Sequence, residues 1–122
     1  MPGNLEIAVI DDDDSFRVAL VESLSSLGYE CSGYASAEDY VGTSADTSFN
    51  CVVTDIHMPG MSGIDLKRLL TARDLKVPVI MITARAEPEL EARAAASGAV
   101  CLLRKPFETD ALIKCLERVT NL

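Results

Sequence analysis

Short, continuous apolar runs recurring between helical stretches constrain this chain more than any other feature. Ile7-Ala8-Val9-Ile10, Cys51-Val52-Val53, Val79-Ile80-Met81-Ile82 and Val100-Cys101-Leu102-Leu103 show no polar alternation. A strand with one wet face alternates, whereas a strand covered on both faces is apolar throughout. Parallel strands of that kind need crossover connections, usually helical. The segments between the runs have the length and the 3.6-residue periodicity to supply them.

The periodicity predicts strands at Leu5–Ile10, Glu30–Tyr34, Asn50–Thr54 running into Asp55, Val77–Thr83 and Ala99–Leu103. Glu30–Tyr34 is the weakest and fits an edge. A helix is predicted over Ser15–Leu27, with Phe16, Leu20, Leu24 and Leu27 inward and Gly28 as its stop. Ser36-Ala37-Glu38-Asp39 resembles a capping box and opens a short helix ending near Gly42. Met58–Gly63 is a loop by its Pro and Gly content, followed by a helix to Arg73 with Leu66, Leu69 and Leu70 inward. Glu87–Ser97 is a helix poor in large apolar residues, and Glu108–Thr120 carries Leu112, Cys115, Leu116 and Val119 on one stripe. The alternation predicts an α/β, doubly wound parallel sheet with helices on both faces, as one domain over residues 1–122.

The net charge of −8 argues against direct nucleic-acid binding by this segment, which needs a basic surface. No apolar run approaches the roughly 20 residues of a membrane helix. The first six residues lack the basic and apolar regions of a signal peptide, so a cytoplasmic location is expected. The four cysteines, Cys31, Cys51, Cys101 and Cys115, include no C-x-x-C spacing. They are predicted to be free, small hydrophobes rather than part of a zinc or disulfide framework.

Polar residues gather where the strands end. Asp11 and Asp12 close the first strand, Asp55 the third and Thr83 the fourth, and Lys105 follows the fifth. In a parallel sheet these carboxyl ends share one edge, where open α/β sheets place their ligands. Two carboxylates about 4 Å apart repel by roughly 4 kcal/mol at an effective dielectric near 20, so a cation must offset them. Mg²⁺ takes oxygen ligands of this type, usually one or two carboxylates with waters and a phosphoryl oxygen. With an ammonium beside it, such a site is equipped for phosphoryl transfer, and an aspartate can be the nucleophile. Asp13 and Asp14, by contrast, fit a helix N-cap and first turn.

These residues resemble the receiver domain of two-component response regulators over essentially the whole chain. The motifs are Val9-Ile10-Asp11-Asp12-Asp13, Val53-Thr54-Asp55 leading into Met58-Pro59-Gly60-Met61-Ser62-Gly63, Ile82-Thr83-Ala84, Gly98-Ala99 and Arg104-Lys105-Pro106-Phe107. Each is modest alone; in this order they are jointly specific. Ser36–Tyr40 and Lys105–Phe107 look most like nitrogen-fixation-regulator-type receivers, which usually precede a helix-turn-helix output domain; none is seen in this chain.

The resemblance implies a flavodoxin-like strand order 2-1-3-4-5 and a phosphoacceptor that is not an enzyme in its own right. Asp55 would accept a phosphoryl group from a sensor histidine kinase. Asp12, Asp55 and the backbone carbonyl of His57 would hold Mg²⁺ directly, with Asp11 acting through water. Thr83 and Lys105 would engage the phosphoryl oxygens, small Ala84 would admit the donor, and the bond before Pro106 would be cis. The surface of the fourth helix, fifth strand and fifth helix would respond and could support a homodimer. His57 and Arg85 fall where the family tunes dephosphorylation. Leu102 stands where the family commonly has an aromatic switch residue.

Two other classes compete. Asp11-x-Asp13-x-Ser15 after a strand resembles the nucleophile loop of haloacid-dehalogenase-type phosphatases, with Asp11 as nucleophile, though the chain is short for them. A flavodoxin-like cofactor carrier would need hydroxyls and glycines to cradle a phosphate where this chain has four acids.

Overall fold

The computed structural model describes residues 5–43 and 49–120. Residues 1–4, which bear on the signal-peptide reading, lie outside them. Ten elements alternate along the chain: β1 (Glu6–Ile10), α1 (Asp14–Ser26), β2 (Glu30–Tyr34), α2 (Ala37–Thr43), β3 (Cys51–Asp55), α3 (Gly63–Ala72), β4 (Val79–Thr83), α4 (Pro88–Ala96), β5 (Cys101–Arg104) and α5 (Thr109–Thr120). The strands form one sheet in the order β2-β1-β3-β4-β5, every pair parallel. That is the doubly wound order the resemblance implied.

Strand pleating sorts the core onto two faces. Ala8, Ile10, Val52 and Met81 point to one face and pack with Tyr40, Ile64, Leu66, Leu70, Leu90 and Ala94 from α2, α3 and α4. Ile7, Val9, Val53, Ile80 and Ile82 point to the other and meet Leu20, Leu24, Leu112, Leu116 and Val119 from α1 and α5. β3 and β4 are buried along their whole length. The edge strands β2 and β5 are only partly covered.

Local chemistry fixes the ends of the elements. Asp13 caps α1 by accepting from the Phe16 amide at 3.2 Å, and Asp14 sits in the first turn paired with Arg17. Ser62 and Asp65 form a reciprocal capping box at the start of α3. Gly63 follows this cap, and its amide donates to the Ile56 carbonyl at 3.0 Å. A Cβ there would lie 2.6 Å from the Asp55 carbonyl oxygen, so only glycine lets α3 start this close to the end of β3.

The sequence reading is corrected at two places. Leu27 is not part of the α1 stripe: it is the C-cap of the helix and 45% exposed, because the chain leaves its helical path there toward Gly28. Cys101 and Cys115 are not free thiols but are joined in a disulfide between β5 and α5. Their separation of 14 residues carried no signal, because the turn into α5 and its packing on the sheet bring the two Cα atoms to 6.1 Å, within bridging range. Cys31 and Cys51 are free, as expected.

Candidate phosphoacceptor and metal site

Parallel register brings the acids together. Ile10 pairs with Thr54 across β1 and β3, so the next residues, Asp11 and Asp55, leave the sheet side by side. Asp12 follows at the start of the β1–α1 loop. Asp11, Asp12 and Asp55 each offer a carboxylate oxygen, and these atoms all lie within 4.8 Å of one another. Asp11 is 1% and Asp55 7% exposed, whereas Asp12 is open to solvent.

Lys105 is the countercharge. Its Nζ donates to Asp11 Oδ2 at 2.9 Å and lies 3.7 Å from Asp55 Oδ2. The same ammonium stands 4.0 Å from the centroid of the Phe16 ring, a cation–π contact that holds it over the site. Phe16 in turn meets Phe107 edge to face, with centroids 6.1 Å apart. The Lys105–Pro106 peptide bond is cis, as the resemblance implied.

The two buried aspartates differ in what occupies their oxygens. Both oxygens of Asp11 have donors within the protein: Oδ1 accepts from the Asp13 amide at 2.9 Å and Oδ2 from Lys105. Its backbone carbonyl accepts from Arg17 Nη1 at 2.7 Å. Asp55 Oδ1 is buried and has no hydrogen-bond partner among the described residues. A buried carboxylate oxygen without a donor is costly, and a bound cation or a new bond removes that cost. Burial, and then the neighbouring Asp11 charge, push the Asp55 carboxyl above the usual aspartate range, with Lys105 opposing them.

Three clustered carboxylates, one with an orphaned oxygen, form a donor set that fits a hard divalent cation such as Mg²⁺. The other predicted site residues lie around this edge. Thr83 ends β4, fully buried, with its hydroxyl accepting from the Arg85 amide at 3.0 Å and donating to the Arg85 carbonyl. His57 lies two residues beyond Asp55; its Nε2 is buried without a partner among the described residues, beside a cavity of about 360 Å³ that Leu90 and Arg93 of α4 also line. Ala84 and Arg85 are exposed, and Leu102 is half-buried on β5.

Sequence reasoning missed three supporting residues. The helical spacing of Phe16 predicts a core position, and nothing in it shows that the ring carries Lys105. Arg17 had a usable signal, since it follows Asp14 by three residues on a helix, but its grip on the Asp11 carbonyl is tertiary. Glu38 lies inside the capping stretch, where Ser36 accepts from the Asp39 amide, and its own carboxylate accepts from the Met61 amide at 2.9 Å and pins the β3–α3 loop.

Comparison with known proteins agrees with this geometry. The chain is 37% identical over 113 residues to the transcriptional regulatory protein FixJ of Azorhizobium caulinodans, covering 93% of this chain and 54% of that protein. It thus spans about half the length of that relative. The crystal structure of FixJ-N superposes with a TM-score of 0.90 at 30% identity, covering 97% of this chain and 94% of the other. The chemotaxis protein CheY4 of Vibrio cholerae gives 0.84 at 29% identity, with 94% and 98% covered. Among the described residues no helix is long and apolar enough to cross a membrane. Residues 7–117, from β1 into the last helix, match the response regulator receiver domain, and the chain belongs to that family.

Proposed function

We propose that Asp55 is the phosphoacceptor of this receiver and that a sensor histidine kinase in the cytoplasm is its donor. The observation that carries this reading is the contrast between the two buried acids. Asp11 has both oxygens committed, whereas Asp55 Oδ1 is orphaned and next to them. The same contrast disfavours Asp11 as the nucleophile of a phosphatase.

In the transfer, an Asp55 carboxylate oxygen forms a bond to phosphorus as the bond from phosphorus to the donor's imidazole nitrogen breaks. Asp12, Asp55 and the His57 carbonyl would hold Mg²⁺ directly and Asp11 would hold it through water; the bound ion would supply positive charge against the phosphoryl oxygens. Lys105 stands 3.7 Å from Asp55 and shifts from Asp11 toward the new group. Thr83 exchanges its Arg85 contacts for a phosphoryl oxygen. Conversion of the carboxylate to an acyl phosphate adds a net charge of about −1 and three strong acceptor oxygens, enough to draw both.

Both residues end strands that flank α4, so their movement is read out on α4, β5 and α5, a face suited to a homodimer. The named relative is a transcriptional regulator, and we extend control of transcription to the output of this receiver. Incubation with a small acyl-phosphate donor and Mg²⁺, followed by intact mass spectrometry, tests the assignment. One phosphate adduct is expected on the wild type and none on Asp55→Asn. An adduct that persists in Asp55→Asn and disappears in Asp11→Asn would overturn it.

A further inference from the structure

The edge of the sheet opposite the carboxylates carries chemistry of another kind. A cavity of about 730 Å³ opens there between the end of α3, the start of β4, the α4–β5 turn and the end of α5. Lys67, Lys76 and Arg118 line it, with Asp74 as the acid among its lining side chains. In a chain of net charge −8 this is a local reversal of sign. Arg118 also reaches out of the cavity: its Nη1 lies 3.3 Å from Cys101 Sγ, the sulfur bonded to Cys115. Cys101 is partly exposed at the start of the edge strand, adjacent to Val100 in the cavity wall, while Cys115 is buried behind it.

We propose that Cys101 and Cys115 form a reversible thiol–disulfide site whose exchange partner is an anionic low-molecular-weight disulfide received in this basic cavity. A guanidinium beside a sulfur favours the thiolate, the form that attacks a disulfide. At the free cysteines burial dominates: it pushes the Cys31 thiol up to about 11, against a hydrogen bond with Ser25, and the Cys51 thiol up to about 12. A domain of this size, with cores on both faces of its sheet, does not need a permanent staple to fold.

In the oxidising direction the Cys101 thiolate bonds to one sulfur of the small disulfide. The disulfide's own S–S bond breaks, and one thiolate leaves and takes up a proton. Cys115 then gives up its proton and bonds to Cys101 Sγ, expelling the second small thiol. Two electrons pass from the protein thiols to the small disulfide, and two small thiols are released. The reverse sequence restores both cysteines. The bond ties α5 to β5, so oxidation acts on two elements of the proposed response surface. That consequence rests on the phosphoacceptor reading; the exchange chemistry does not.

The test uses fully reduced protein and no phosphodonor. With glutathione disulfide, thiol titration is expected to fall from four groups to the two free cysteines. Peptide mapping is expected to recover Cys101 joined to Cys115. At low ionic strength, reaction with this anionic disulfide is expected to exceed that with cationic cystamine by about tenfold, the scale of electrostatic steering. Lys76→Gln, an exposed change away from both sulfurs, is expected to narrow that ratio, and Cys101→Ser to keep three reduced thiols. Four thiols persisting in the wild type, or modification falling on Cys31 or Cys51, would overturn the site. Equal rates with the two probes, or a ratio unmoved by Lys76→Gln, would overturn the cavity's part in it.

Discussion

The two halves of the sheet are built to different standards. Around β1 and β3 every inward position is filled, and α3 presses Ile64, Leu66 and Leu70 onto the sheet behind the acids. Around α4 and β5 the covering is thinner, although β4, between β3 and β5, is buried along its length. α4 contributes only Leu90 and Ala94 to the core, has no side-chain N-cap bond, and borders the cavity beside His57. β5 is partly exposed along its length. The difference teaches where precision and where movement are afforded. The carboxylates must hold a fixed separation for a cation, and they leave the tightly packed strands. On the proposed reading Thr83 and Lys105 change partners, and they leave the strands that flank the loosely packed helix.

The comparison can be broken first in the core. Leu66→Ala is expected to cost about 4 kcal/mol, because the site is enclosed and cannot collapse, whereas Leu90→Ala beside an existing cavity is expected to cost about 2 kcal/mol. Urea unfolding would show this, and equal losses would mean that α4 is packed as firmly as α3.

Metal linkage sharpens the same contrast. Mg²⁺ at a hundredfold excess over its Kd is expected to stabilise the domain by about 2.7 kcal/mol, and much less in Asp55→Asn. Without metal the order reverses, through linkage. The folded Asp55 carboxyl is raised by burial and by Asp11, so on rising pH the unfolded chain releases this proton first. Stability then falls as pH rises from the ordinary aspartate range through the folded value, and the penalty is complete above it. Asp55→Asn lacks that penalty. It is expected to melt later than wild type at neutral pH without metal, with the gap closing in acid; a gap independent of pH would contradict the electrostatic origin.

The smallest effect separates the members of the acidic run. Asp13→Ala is expected to cost about 1 kcal/mol through the lost cap and leave Mg²⁺ affinity unchanged. Asp12→Ala is expected to weaken Mg²⁺ binding with little loss of stability, since its side chain is exposed. Calorimetric titration alongside thermal melts reads both.

That division of the run was legible in the sequence, because a strand end and a helix start make different demands on an acid. The strands β1, β3 and β4 were legible too, since burial on both faces leaves only apolar residues. What escaped depends on contacts between residues distant in sequence. The ring of Phe16 beneath Lys105, the Glu38 carboxylate on the Met61 amide and the Cys101–Cys115 bond all arise only after helices pack. Leu27 was misplaced because periodicity continues past the point where the backbone leaves the helix.

The central claim is that charge placed on Asp55 between the rigid strands is felt on the loosely packed side. Hydrogen exchange with mass spectrometry, with and without acyl phosphate and Mg²⁺, tests it most directly. Protection is predicted to change across residues 84–104, covering α4 and β5, while β1 and β3 keep theirs. Unchanged exchange across 84–104 in a protein shown to carry the phosphate would contradict the account.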